Sequence, residues 1–66
     1  MKNKYYVYKD PKDRIISNIL YWKICGDHVI FSLKNGRVGV NNYTPQEIIN
    51  SSDKKEVSSS ELALML

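Results

Sequence analysis

The sequence predicts a small α+β domain built on an antiparallel β-meander of three to four strands, left open or closed into a partly open barrel. Three observations carry that prediction. Two tight-turn dipeptides, Gly26-Asp27 and Asn35-Gly36, separate alternating apolar segments, and a helix start, Thr44-Pro45-Gln46-Glu47, lies beyond the last of them. Residues 1–50 are expected to form the domain, 51–60 a polar linker, and 61–66 an apolar C-terminal segment carried as a mobile tail.

Tyr5 to Lys9 has the β-branched and aromatic character of a strand, with Tyr6 and Tyr8 on one face and Tyr5 and Val7 on the other. One pair should extend the core and the other should sit at its rim. Asp10-Pro11-Lys12-Asp13 fits either a turn or a helix start. A helical turn from Pro11 to Ile16 leading into a strand at Ile19 satisfies the cap chemistry and the register of the downstream hairpins, and one long strand from Ile15 is the alternative, favoured by its β-branched residues.

Gly26-Asp27 suits a two-residue hairpin with glycine first, the arrangement of a type II′ turn. Cys25 then faces His28, Ile24 faces Val29, Trp22 faces Phe31 and Leu20 faces Leu33. Asn35-Gly36 suits a type I′ turn, in which both central residues take positive φ. That turn pairs Lys34 with Arg37, Leu33 with Val38, Ser32 with Gly39 and Phe31 with Val40. Together the hairpins predict one core face: Leu20, Trp22, Ile24, Val29, Phe31, Leu33, Val38 and Val40. Gly39 inside a strand implies close packing or a bulge.

Thr44 should cap a short helix from about Pro45 to Asn50, with Ile48 and Ile49 turned inward. Ser51 to Ser60 is polar and rich in turn formers, hence the linker. The last residues repeat a capping-box spacing, Ser58 to Glu61, ahead of Leu62, Leu64, Met65 and Leu66. So short a segment holds a helix only if something packs on it. Clustered apolar side chains in a tail mark a contact, with the chain's own sheet, a second copy or another partner.

The 66 residues limit the chain to one domain with a small core, so a supplement such as self-association is expected. The single cysteine, Cys25, excludes an intrachain disulfide. No signal-peptide core or membrane-spanning run is visible, so a cytoplasmic location without membrane attachment is the expectation. Usage rich in Lys, Asn, Ile, Tyr and Ser is what AT-rich coding DNA produces, which suggests a low-GC bacterium, a phage or another mobile element.

Function must then come from the surface. Cys25 and His28 across a hairpin supply half of a tetrahedral metal site, and no second cysteine or histidine completes it within one chain. The same pair lacks the orienting group and oxyanion hole that nucleophilic catalysis needs. No phosphate loop, paired catalytic carboxylates or helix-turn-helix pattern is present. Neither an enzyme nor a cofactor is therefore expected.

Two binding readings are left. Residues 1–43 hold eight Lys/Arg against three Asp, and residues 44–66 hold two Lys against four acids, a split of +5 and −2. The sheet face opposite the predicted core carries Tyr21, Lys23, Cys25, His28, Ile30, Ser32, Lys34, Arg37 and Asn41. Of these, Tyr21, Lys23, His28, Lys34 and Arg37 are candidates for contacting a partner or a nucleic acid, with base stacking on Tyr21 and phosphates near the cations. Tyr5, Tyr6, Tyr8, Leu62, Leu64, Met65 and Leu66 are candidates for a protein interface, because tyrosine and exposed apolar clusters favour such contacts. A non-enzymatic protein that binds and modulates or inhibits a protein partner is the leading expectation. A nucleic-acid-binding β domain is the alternative.

Overall fold

The computed structural model describes residues 3–41 and 43–66. In chain order the elements are β1 (Lys4–Tyr8), α1 (Pro11–Ile16), β2 (Ile19–Cys25), β3 (His28–Leu33), β4 (Val38–Asn41), α2 (Pro45–Ile49), β5 (Lys54–Val57) and α3 (Ser59–Met65). The strands form one open antiparallel sheet in the order β4-β3-β2-β1-β5. It is an α+β fold with one strand more than the upper expectation.

The N-terminal half resolves in favour of the helical turn. Asp10 caps α1 by accepting the Lys12 N–H at 2.9 Å, and Pro11 occupies the first position, where a missing N–H costs nothing. Ser17 closes it and accepts the Ile19 N–H at 3.0 Å, which starts β2.

The β2–β3 hairpin has the expected pairs Cys25–His28, Ile24–Val29 and Trp22–Phe31, with Gly26 alone taking positive φ. The beginning of β2 departs from expectation. A bulge makes Ile19 rather than Leu20 the partner of Leu33, so Ile19 joins the core beside Trp22 and Phe31.

The β3–β4 register is a larger correction. Asn35 does not take positive φ, whereas Gly36 does, at 86°. The Gly36 N–H bonds the Leu33 carbonyl, the Leu33 N–H bonds the Arg37 carbonyl, and Asn35 Oδ1 accepts the Arg37 N–H. This is a three-residue loop, Lys34 to Gly36, ending in a glycine bulge, and not a two-residue type I′ turn. Lys34 therefore does not face Arg37. The pairs become Ser32–Val38, Phe31–Gly39 and Ile30–Val40.

Sterics explain the shift. The Phe31 ring lies over Gly39, with Cζ 2.8 Å from where a β-carbon would stand. Valine opposite Phe31 would force that ring to swing aside from where it packs. Because side chains alternate along a strand, a one-residue shift moves both valines to the opposite face. Val38 and Val40 are consequently 69% and 71% exposed, not core.

Residues 51–60 are also not a linker, since Lys54–Val57 pair with β1 from Tyr8 back to Tyr5. Each face of the sheet then receives one helix. Tyr6, Trp22, Ile24, Val29 and Ile48 of α2 form one core, with Tyr8, Ile19 and Phe31 at its margin. Val7, Val57 and Leu62 of α3 form the other, flanked by Tyr5 and Tyr21. Ile48 turns inward as expected, while Ile49 is exposed. The tail is a capped helix on its own sheet: Glu61 N–H donates to Ser58 Oγ at 3.1 Å, and Ser58 N–H to Glu61 Oε1 at 3.5 Å.

Candidate interaction surface

The expected basic and aromatic platform is only partly free. Tyr21 packs edge-on against Tyr5, ring centroids 6.0 Å apart, and both rings border the core beneath α3. Tyr21 is half-buried, so less of its ring is open to a stacking base than a free platform would offer. Lys34 Nζ donates to the Ile15 carbonyl at 2.8 Å and so pins the end of α1 to the β3–β4 turn. Lys23 is half-buried and Arg37 is exposed. Ser32, expected on a solvated face, is buried.

Exposed His28 places Nδ1 3.2 Å from Asp27 Oδ1. That hydrogen bond is the main cause holding the Asp27 carboxyl below its usual range, aided by a bond to its own backbone and by attraction to the imidazole. Cys25 is half-buried, and among the described residues no group of three His, Cys, Asp or Glu could hold a metal ion.

The tyrosines of β1 are not a free interface either. Tyr6 is buried with its hydroxyl 3.5 Å from Glu56 Oε1, and burial, reinforced by the Glu56 charge, raises its pKa. Tyr8 meets Trp22 edge-on at 4.8 Å. Lys54 closes this side, with Nζ 4.6 Å from the Trp22 ring and 5.4 Å from that of Tyr8. Only 9% of the Lys54 side chain is exposed, which makes its charge a lid on the aromatic core. Sequence patterning offers no signal for it, because Lys54 lies in a polar stretch.

An apolar groove lies where α1 and α3 flank one side of the sheet. Val7, Ile19 and Leu20 make its floor, Ile15 one wall, and Leu62, Met65 and Leu66 the other. The groove has a volume of about 360 Å³. Leu62 is buried, whereas Ile15, Met65 and Leu66 are exposed. Arg14 and Lys34 line it as well, and both are oriented by backbone carbonyls. Arg14 Nε donates to the Tyr8 carbonyl at 3.0 Å and Nη2 to the Lys9 carbonyl at 3.3 Å. The result is a preformed apolar trough with two fixed positive charges.

Of the interface candidates, Leu62, Met65 and Leu66 converge on this groove, and Leu64 points elsewhere at 90% exposure. Sequence reasoning misses Ile15 and Leu20 as surface residues. Ile15 falls where strand and turn are equally compatible with the sequence, and Leu20 loses its expected core position to the bulge. Among the described residues no helix is long and apolar enough to cross a membrane. Compared with known proteins, the chain matches no protein family, no curated protein and no solved structure.

Proposed function

We propose that this protein acts without catalysis, by binding a protein partner through the α1–α3 groove and modulating that partner. The observation that supports this reading is the groove itself: exposed apolar side chains around a preformed trough, in a chain too small to leave such surface without cost. Arg14 and Lys34 at the groove fit a partner segment whose apolar side chains are flanked by carboxylates. The composition agrees with a regulator or inhibitor carried by a phage or other mobile element, acting in the cytoplasm of its host. The nucleic-acid reading has less support, because Tyr21 and Lys34 are engaged in internal contacts.

Photo-crosslinking in the native host, with the probe at Leu66, tests the proposal. One protein should be captured, and the capture should be lost in Ile15→Asp and kept in Arg37→Glu. Retention on single-stranded DNA that steepens as salt falls, and that disappears in Lys23→Glu with Arg37→Glu, would instead establish the nucleic-acid reading.

A further inference from the structure

The two edges of the sheet differ. The β5 edge carries Lys54, Lys55 and Glu56, charges of the kind that protect an exposed edge from pairing. The β4 edge, Val38-Gly39-Val40-Asn41, carries no charge and no proline, and both of its valines are exposed. It is the unprotected end of the sheet.

Its hydrogen-bonding phase is also defined. Leu33 and Arg37 form a hydrogen-bonded pair, so by alternation Gly39 directs its backbone groups toward β3, and Val38 and Val40 direct theirs outward. A strand docking here must bond to Val38 and Val40.

We infer that the occupant of this edge is a second copy of the chain, joined β4 to β4 in antiparallel fashion about a two-fold axis through Gly39. Only this register uses the outward groups of both valines: Val38 exchanges bonds with the partner's Val40, and Val40 with the partner's Val38. Each exposed valine side chain then lies against a valine of the other copy, on the same face of the sheet. The glycines meet as the closely approaching, non-hydrogen-bonded pair, where a missing side chain helps. Charge favours this pairing, since two neutral strands meet without repulsion, whereas pairing through β5 would juxtapose lysines.

The symmetry closes, which distinguishes the dimer from an open filament. A sheet of five strands from each copy would have only charged β5 edges left exposed. The axis runs perpendicular to the sheet, so both α3 helices and both grooves lie on one side. The inference does not rest on the groove's being a binding site. Four residues per strand make a small contact, so the dimer is weak and concentration-dependent.

Sedimentation equilibrium between about 10 µM and about 1 mM should show the mass rising from 7.7 kDa toward twice that value. Over the same range the Val38 and Val40 amides, open to solvent in the monomer, should exchange more slowly with deuterium. The Gly39 amide, already bonded to β3, should change far less. Val38→Lys/Val40→Lys and Val38→Glu/Val40→Glu should each be folded and monomeric, because both positions are exposed, and mixing the two should restore a dimer. A 7.7 kDa mass throughout the range would overturn the inference. So would a dimer in which the valine amides exchange unchanged, or a strand from a different protein held at this edge while the chain itself stays monomeric.

Discussion

Tyr6 shows how one residue ties the two ends of the chain together. Its ring is buried beside Trp22 and Ile48, and its hydroxyl reaches Glu56, fifty positions away in the sequence. Ionising that hydroxyl would place a second negative charge next to Glu56 in a desolvated setting, so its folded pKa is raised from the ordinary value of 10.0. A raised folded pKa favours the neutral phenol, so this contribution to stability is intact below pH 10 and fades as pH climbs through the folded value. Denaturant titrations from neutral pH upward should show wild-type stability falling above about pH 10. Tyr6→Phe should start lower, through loss of the Glu56 hydrogen bond, and should lose less over that alkaline interval. Equal alkaline slopes in the two proteins would show that Tyr6 is not the titrating group. Trp22 is 1% exposed, and among the described residues its buried indole N–H meets no hydrogen-bond partner. Its ring packs under Lys54 and edge-on against Tyr8.

At the scale of elements, α3 depends on one side chain. A seven-residue helix is marginal in water even with the capping box of Ser58 and Glu61. Leu62 supplies what is missing by packing on Val7 and Val57. Leu62→Ala should therefore destabilise the protein by about 2–5 kcal/mol, enough to loosen α3 and β5 together. Leu64→Ala, at a position 90% exposed, should change stability far less. Comparable losses in the two variants, read from thermal melts, would mean that α3 is not seated as described. Sequence legibility varies by element for identifiable reasons. Gly26-Asp27 places the β2–β3 hairpin correctly because a leading glycine suits one turn type. Asn-Gly serves both a two-residue type I′ turn and a three-residue loop with a glycine bulge, and the packing of Phe31 over Gly39 favours the second. β5 is illegible because Lys54-Lys55-Glu56-Val57 has a single apolar residue and pairs with a strand at the other end of the chain.

For the whole molecule, these local choices determine where apolar surface is spent. A meander with one core face would have placed Val38 and Val40 inside and left the opposite face basic and wet. The sheet instead buries apolar side chains on both faces, α2 covering one and α3 the other. The apolar surface left exposed includes the groove between α1 and α3 and the valine edge of β4, besides the separate side chains of Ile16, Ile49 and Leu64. Of the candidate site, the apolar character of the C-terminal segment is legible from Leu62, Met65 and Leu66. The other wall and the floor are not, since they require the α1 helix, the β2 bulge and the return of β5 beside β1. The valine edge depends in addition on the one-residue shift that the Lys34–Gly36 loop introduces.

Proton–proton contacts across the β3–β4 hairpin test that shift most directly. In antiparallel strands the α-protons of non-hydrogen-bonded partners lie close enough for a strong nuclear Overhauser effect. With Leu33 and Arg37 as a bonded pair, strong α-proton contacts are expected between Ser32 and Val38 and between Ile30 and Val40. A two-residue turn at Asn35-Gly36 would instead give them between Leu33 and Val38 and between Phe31 and Val40. That second pattern would return the valines to the core face and contradict both the register and the exposed edge derived from it.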